Sequence, residues 1–195
     1  MPAGGANELV KLNKIYTRTG DDGRAGLVDG SRVSKSHPRM ATIGEVDEAN
    51  SVIGVAIAAL GDGKLGRDLR LIQNELFDLG ADIATPGDIE GALRIVGEQV
   101  ERLERQIDAM NTGLDPLTSF ILPGGSTAAA SLYLARAVVR RAERAAVTLN
   151  EAEPINTHAL AYLNRLSDHL FVAARTVAAA HGGDILWQPG ATRNG

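Results

Sequence analysis

Apolar side chains recur every three or four residues along most of the chain, the spacing that places them on one face of a helix. In the second such segment, leucine or isoleucine stands at positions 65, 69, 72, 76 and 79. Pro38 is well tolerated in a first helical turn, and the His-Gly-Gly at 181–183 is a typical helix stop. The pattern predicts five helices, at about 38–60, 64–82, 90–111, 126–150 and 154–181.

The links between these segments are mostly short, and no internal repeat or low-complexity tract separates them. The fold we expect is therefore all-α, a five-helix bundle in a single domain. The length of 195 residues is enough for one domain with a sizeable core. We expect residues 1–12 to form a disordered leader, residues 13–190 to form the domain, and residues 191–195 to form a tail.

The composition excludes several classes of function. The sequence has no cysteine, which rules out disulfides, thiolate nucleophiles and Cys-ligated metals. The first residues lack the apolar core of a signal peptide, and no later run is long enough to cross a bilayer, so we expect a cytoplasmic protein without a membrane partner. The net charge of −4 argues against a general nucleic-acid binder.

The positive charge is concentrated in two segments. Residues 11–40 carry seven Lys and Arg against three Asp, a net of +4 (7 − 3), and residues 131–150 carry four Arg against one Glu, a net of +3 (4 − 1). Two local basic segments on an acidic chain indicate a small anionic ligand rather than a long polyanion.

The second basic segment contains RAVVRRAERA, residues 136–145. On a helical wheel with about 100° per residue, Arg136, Arg140 and Arg144 lie within about 80° of one another, with Arg141 further round. The opposite arc holds only the apolar residues Ala135, Val138, Val139, Ala142 and Ala146. The segment predicts an amphipathic helix with a row of guanidinium groups on its outer face.

This row has two interpretations. The ordinary one is a solvated charged face, but such faces usually alternate the sign of their charges. Arginines at i, i+4 and i+8 leave neighbouring like charges without local compensation. We therefore expect an anion, either a ligand or another subunit, to lie across them, because a guanidinium donates paired hydrogen bonds to carboxylate or phosphate oxygens.

The first basic segment contains a glycine-rich loop, TRTGDDGRAG, at residues 17–26. Glycines allow backbone N–H groups to converge on an anion, and nearby threonine, arginine and lysine side chains can add donors. A Gly/Asp-rich turn is the plainer interpretation, and the P-loop pattern is absent. The PGGST at 123–127 has the same two interpretations, a phosphate site at a helix N-terminus or a simple N-cap.

Five segments, taken in order, resemble the PduO-type corrinoid adenosyltransferases, the ATP:cob(I)alamin adenosyltransferase family. They are KIYTRTGDDG at 14–23, GEVDEANSVIG at 44–54, FILPGG at 120–125, RAVVRRAER at 136–144 and LNRLSDHLF at 163–171. The resemblance extends from Lys14 to Pro189. Five ordered segments are far more specific than any one of them.

The resemblance implies a homotrimer with active sites between subunits, which transfers the 5'-deoxyadenosyl group of ATP to the cobalt of cob(I)alamin or a precursor corrinoid and releases triphosphate. It implies Mg²⁺ with the nucleotide, a cobalamin reductase, and a client enzyme that uses adenosylcobalamin. The implied ATP-binding residues of the glycine-rich loop are Thr17, Arg18, Thr19, Gly20, Ala25, Gly26 and Lys35. Those of the bundle are Arg140, Arg141, Ala142, Glu143, Arg144 and Asn164.

The resemblance assigns catalysis to Phe120, Arg140, Arg136 and Asp47. Phe120 corresponds to a phenylalanine that crowds the lower face of the corrin, whereas the residues alone also allow a ring that plugs one end of the bundle. Arg136 and Asp47 correspond to an ion pair across the subunit boundary. No protein metal site is expected, because the four histidines are scattered and surface or helix-end positions suit them better.

The chain departs from the family pattern at two positions: Asp22 stands where lysine is frequent, and His169 where tyrosine is frequent. For Asp168 two roles stay open, the ordering of a neighbouring arginine or a structural hydrogen bond. The alternative to an enzyme is a nucleotide-sensing or cobalamin-delivery module. Phe120 distinguishes the two, because a sensor has no need to keep the cobalt four-coordinate. An iron-carboxylate bundle is disfavoured because no pair of Glu-x-x-His motifs is present.

Overall fold

The computed structural model describes residues 15–193, and its helical part confirms the predicted five-helix architecture. The helices are α1 (Pro38–Leu60), α2 (Lys64–Ile83), α3 (Gly97–Asn111), α4 (Thr127–Ala152) and α5 (Thr157–Ala179). Two short strands, β1 (Arg24–Gly26) and β2 (Arg32–Ser34), form an antiparallel hairpin in the first basic segment. The predicted leader, residues 1–12, lies outside the described residues.

Small side chains bring α4 close to the helices on either side of it. α4 packs against α1 and α5, and all three helices carry alanines with no exposed surface. The buried apolar residues of α2 and α3 are larger aliphatic ones, such as Leu76 and Leu103. The fully buried alanines of α1, α4 and α5 include Ala49, Ala56, Ala135, Ala142, Ala146, Ala173 and Ala174.

Three helices begin at a side chain that accepts a hydrogen bond from their first turn. His37 accepts from the N–H of Arg39, Ser126 from that of Ala129, and Asn156 from that of His158. Such caps satisfy backbone donors that have no partner inside the helix. The Ser126 cap supports the plainer interpretation of the PGGST segment.

The prediction that α3 begins at residue 90 is wrong by seven residues. The chain before Gly97 is held in a non-helical path, because the backbone N–H of Ile95 donates to Asp82 (2.8 Å) and the Arg94 guanidinium donates to the same carboxylate (2.7 Å). Leu93 and Val96, two apolar residues in the part of the predicted segment that is not helical, are about half exposed. α5 begins three residues later than predicted, after its Asn156 cap.

An ion pair and a hydrogen bond connect α2, α3 and α5. Arg102 of α3 pairs with Glu75 of α2, which also accepts a hydrogen bond from Tyr162 of α5 (2.6 Å). Within α3, Glu101 pairs with Arg105 at 3.6 Å. None of the helices in the described part of the chain could span a membrane.

Candidate functional site

The glycine-rich loop is tied together around the hairpin. Asp22 accepts hydrogen bonds from the backbone N–H of Arg24 (3.0 Å) and from the Arg32 guanidinium (3.2 Å). The same guanidinium donates to the carbonyl of Thr19 (2.5 Å). Asp22, the departure from the family pattern, therefore stabilises the loop through these hydrogen bonds, although its side chain is exposed.

Lys35 directs its ammonium into this loop. Its backbone N–H donates to the carbonyl of Gly23 (2.9 Å), and its Nζ lies 3.1 Å from the point where a Cβ of residue 20 would stand. Thr17 and Thr19 share a hydrogen bond of 2.8 Å between their hydroxyls. The structure thus brings five of the predicted loop residues together: Thr17, Arg18, Thr19, Gly20 and Lys35.

The arginine row of α4 is only partly as predicted. Arg141 forms ion pairs with Glu45 and Glu48 of α1, and the hydrogen bonds to these carboxylates raise the pKa of its guanidinium. Its charge is therefore compensated within the chain, and its predicted role in ATP binding stays a prediction. Arg140 and Arg144 are exposed and have no acidic partner within residues 15–193.

The other bundle residues of the predicted site differ in their partners and in their burial. Asn164 of α5 donates to Glu143 of α4 (2.8 Å), which places an amide and a carboxylate beside the free arginines. Ala142 has no exposed surface and faces the core, and its place in the predicted nucleotide-binding set stays a prediction. Asp168 pairs with Arg165 (3.1 Å), the first of the two roles considered for it.

Phe120 lies at the opposite end of α4 from the hairpin. Its ring is 76% exposed, so it does not plug the bundle, and its centroid lies 6.0 Å from that of Trp187 at an interplanar angle of 55°. Ile121 and Leu186 form an isolated antiparallel bridge between the two segments that carry these rings. The structure therefore presents an outward-facing aromatic pair at this end.

A chain of contacts connects the arginine row to the aromatic end. The Arg136 guanidinium lies 5.3 Å from the centroid of Phe171, which makes an edge contact with Tyr133. Tyr133 lies within 3.4 Å of Asp184, and burial beside that carboxylate raises the pKa of the phenol to about 12. Tyr133 is therefore a neutral donor at any working pH.

Asp47 lies on a separate surface. It is exposed on α1, where it lines a groove of about 470 Å³ with Arg70 and Phe77 among the other residues. Within residues 15–193 it forms no ion pair, and its predicted partner Arg136 stacks on Phe171 instead. The structure of one chain does not bring this predicted pair together.

Sequence reasoning missed several polar residues that shape these surfaces. His169 is buried, not at the surface or a helix end, and burial together with the nearby Arg102 charge lowers its pKa to about 4. Arg175 and Asp184 form a largely buried ion pair at 2.9 Å. The sequence did hold a signal for this ion pair, because Arg175 lies among the apolar residues of α5.

Comparison with known proteins defines the class. A family model of the cobalamin adenosyltransferases matches residues 15–177. A corrinoid adenosyltransferase of Mycobacterium tuberculosis (strain ATCC 25618 / H37Rv) is 50% identical over 191 residues, covering 94% of this chain and 97% of that protein. One of Bacillus subtilis is 45% identical over 180 residues, covering 90% and 92%.

Solved structures narrow the class. A phenylalanine-to-alanine variant of the PduO-type ATP:corrinoid adenosyltransferase from Lactobacillus reuteri, complexed with cobalamin and ATP, has a TM-score of 0.85 at 39% identity and covers 90% of this chain and 99% of its own. An arginine-to-lysine variant of the same enzyme, complexed with ATP, has a TM-score of 0.82 at 38% identity, covering 89% of this chain and 100% of its own. The chain belongs to the cobalamin adenosyltransferase family, among its PduO-type members, and is a transferase.

Proposed function

We propose that the enzyme joins the 5'-deoxyadenosyl group of ATP to the cobalt of cob(I)alamin or a precursor corrinoid. The observation that carries the proposal is the pair of exposed arginines, Arg140 and Arg144, which have no acidic partner within residues 15–193 and lie beside Asn164 and Glu143. The relatives from Lactobacillus reuteri with cobalamin and ATP support both substrates.

The reaction is a substitution at the ribose methylene carbon. The electron pair of Co(I) forms the cobalt–carbon bond while the carbon–oxygen bond to the phosphate chain breaks, so cobalt becomes Co(III) and the leaving oxygen departs with triphosphate. The protein needs no nucleophile of its own, because the corrinoid supplies it. Its tasks are to aim the carbon at cobalt and to stabilise the leaving triphosphate.

Lys35, Arg140 and Arg144 are the residues we assign to the triphosphate. Fixed positive charges beside a growing negative charge stabilise the transition state more than the ground state. The hydroxyls of Thr17 and Thr19, already 2.8 Å apart, are suited to hydrogen-bond the same nucleotide.

Phe120 has a different task at the corrin. We assign its exposed ring to the lower face, where it would exclude both water and the dimethylbenzimidazole base. Loss of the lower axial ligand makes Co(II) easier to reduce, since axial ligation is a main determinant of a metal's potential. A reductase partner and an adenosylcobalamin-dependent client enzyme fit this chemistry, which consumes Co(I) and releases adenosylcobalamin.

We also propose that the complete site is shared between subunits of a homotrimer. The hairpin is attached at the C-terminal end of α2, through the N–H of Val28 and the carbonyl of Ala84 (3.0 Å), whereas Phe120 precedes the N-terminus of α4. α4 is 26 residues long, and a helix of that length spans about 39 Å. A second copy can bring its own loop to the free arginines, and Asp47 and Arg136 would then pair across the boundary.

Mg²⁺ would bind at this site together with ATP. Among residues 15–193 no group of three or more His, Cys, Asp or Glu side chains could hold a metal ion, so phosphate oxygens would supply most of its ligands. When bound it would neutralise part of the triphosphate charge. Lys35 and the two free arginines would still hold the phosphates in place.

The decisive experiment is anaerobic incubation of the enzyme with ATP and chemically reduced cobalamin, followed by visible absorption. We expect the spectrum of a cobalt–carbon bond to appear, and its absence in an enzyme that binds ATP would contradict the proposed reaction. With Co(II)cobalamin and a mild reductant, Phe120→Ala should lose most turnover while its affinity for ATP stays within about twofold. Leu117→Ala, in the same loop, is the matched control.

A further inference from the structure

We propose that Trp187 positions the Phe120 ring, and that the Arg175–Asp184 ion pair holds Trp187 in place. This inference rests on the proposed role of Phe120 at the corrin. Trp187 lies outside the segments that carry the family resemblance, and it makes the only aromatic contact of Phe120 within residues 15–193. It acts through Phe120 and is therefore a positioning residue.

The Phe120 ring needs support from outside its own segment. It lies in the irregular chain between α3 and α4, and it is 76% exposed. A ring with so little packing has several rotamers of similar energy, whereas crowding one face of a corrin requires a single orientation.

The backbone places Trp187 directly opposite Phe120. The N–H of Trp187 donates to the carbonyl of Phe120 (2.7 Å), and the N–H of Leu122 donates to the carbonyl of Ile185 (2.8 Å). The Ser119 hydroxyl donates to the carbonyl of Trp187 (2.8 Å). Opposite residues of an antiparallel pair project to the same side, so the two rings meet as a cross-strand aromatic pair.

One buried guanidinium holds both segments. Arg175 of α5 donates from Nε to the Asp184 carboxylate (2.9 Å) and from Nη2 to the carbonyl of Asp115 (2.7 Å). Asp184 lies three residues before Trp187, and Asp115 lies five residues before Phe120. Arg175 is 7% exposed, so its position is fixed by the core of the bundle.

The two anchors therefore fix the relative position of the segments that meet at the aromatic pair. Removing the indole would leave the hydrogen bonds of the backbone pair intact but would take away the surface against which the Phe120 ring rests. We expect the ring to sample other rotamers and to leave the lower face of the corrin open to water or base. ATP binding, which we assign to the other end of α4, should not change.

The test uses the full-length enzyme with ATP and Co(II)cobalamin, and electron paramagnetic resonance to measure the fraction of four-coordinate cobalt. Trp187→Ala should lower this fraction at least fivefold, and Trp187→Phe should restore at least half of it. Asp184→Asn should give an intermediate loss. The dissociation constant for ATP should stay within twofold in all three variants.

A double variant separates positioning from a direct effect of Trp187 on the corrin. In a Phe120→Ala background, Trp187→Ala should cause no further loss, because residues that act as one unit are not additive. A further loss of fivefold would overturn the inference. So would a normal four-coordinate fraction in Trp187→Ala, or a loss of ATP affinity equal to the loss of four-coordinate cobalt, which would indicate general damage.

The same measurements distinguish this inference from the proposed function. If Phe120→Ala itself keeps the normal four-coordinate fraction, the role of Phe120 is wrong and the positioning role falls with it. If Phe120→Ala loses the signal and Trp187→Ala keeps it, the function stands and only the inference fails.

Discussion

Two sets of arginines in this chain have opposite surroundings. In the inner set each guanidinium is largely shielded from solvent and pairs with a carboxylate from another part of the chain. In the outer set the guanidinium has no acidic partner within residues 15–193. The inner set is Arg39, Arg94, Arg102 and Arg175, and the outer set is Arg140 and Arg144.

The difference separates charge that serves the fold from charge that serves a ligand. A buried guanidinium is tolerated only with a partner, because an unpaired buried charge costs far more than the pair contributes. An exposed guanidinium costs little and keeps its hydrogen-bonding capacity for a phosphate. The comparison therefore predicts that inner substitutions change stability and outer substitutions change ATP affinity.

The largest effect should follow substitution in the inner set. Arg39 is 2% exposed and donates to Glu153 and to the carbonyl of Ile83, so Arg39→Ala removes two charge-assisted hydrogen bonds and leaves Glu153 with its contact to His37 alone. We expect the free energy of unfolding in urea to fall by about 3–5 kcal/mol, at about 1.5–3 kcal/mol for each lost bond. Arg140→Ala is the matched outer control, with an expected change within about 0.5 kcal/mol. Equal losses in the two variants would remove the distinction.

The buried His169 provides a second test of groups that serve the fold, because it makes stability depend on pH. Its pKa is lowered from 6.5 to about 4 by burial and by Arg102, with Lys64 acting in the same direction and Asp68 against them. The contribution of the neutral His169 side chain to the free energy of unfolding is fully present above pH 6.5. As the pH falls from about 6.5 to about 4, the unfolded chain takes up a proton that the folded chain does not, so stability falls.

The expected loss across this window is about 3 kcal/mol. It can be measured as the difference between wild type and His169→Phe in urea unfolding at several pH values, since the other histidines cancel in that difference. Identical pH slopes for the two proteins would show that His169 does not titrate in this way.

The smallest effect distinguishes two neighbours in the arginine helix. Arg140→Ala should raise the dissociation constant for ATP about 10- to 100-fold, because a charge-assisted hydrogen bond contributes about 1.5–3 kcal/mol. Arg141→Ala should change it less than threefold, since Glu45 and Glu48 already hold that guanidinium. Calorimetry measures both constants. A similar loss in both variants would place Arg141 in the outer set.

Local pattern predicted the helices well and the contacts between them poorly. Apart from the start of α3, the helix bounds agree within three residues, because apolar spacing and capping residues are local signals. The start of α3 depends on Asp82, which holds the preceding chain from another helix. The partner of Arg141 depends on how α1 lies beside α4. No helical wheel of a single segment contains that information.

The site shows the same limit. The free arginines and the glycine-rich loop were visible in the sequence because their unusual feature is an excess of charge or glycine. Trp187 was not, because its pairing with Phe120 depends on two segments 67 residues apart (187 − 120) that the fold brings together. The roles of Arg175 and Asp184 likewise could not be predicted, because they depend on two loops that only the fold brings together.

Gly20 has a consequence that goes beyond backbone freedom. Its φ does not lie in the left-handed region, so a larger residue is not excluded there by backbone geometry. The space beside its Cα is instead taken by the Lys35 ammonium. A methyl group at position 20 would crowd that cation, so the flexible end of the Lys35 side chain would have to move by a few tenths of an ångström. The missing side chain of Gly20 therefore leaves room for the Lys35 ammonium inside the loop.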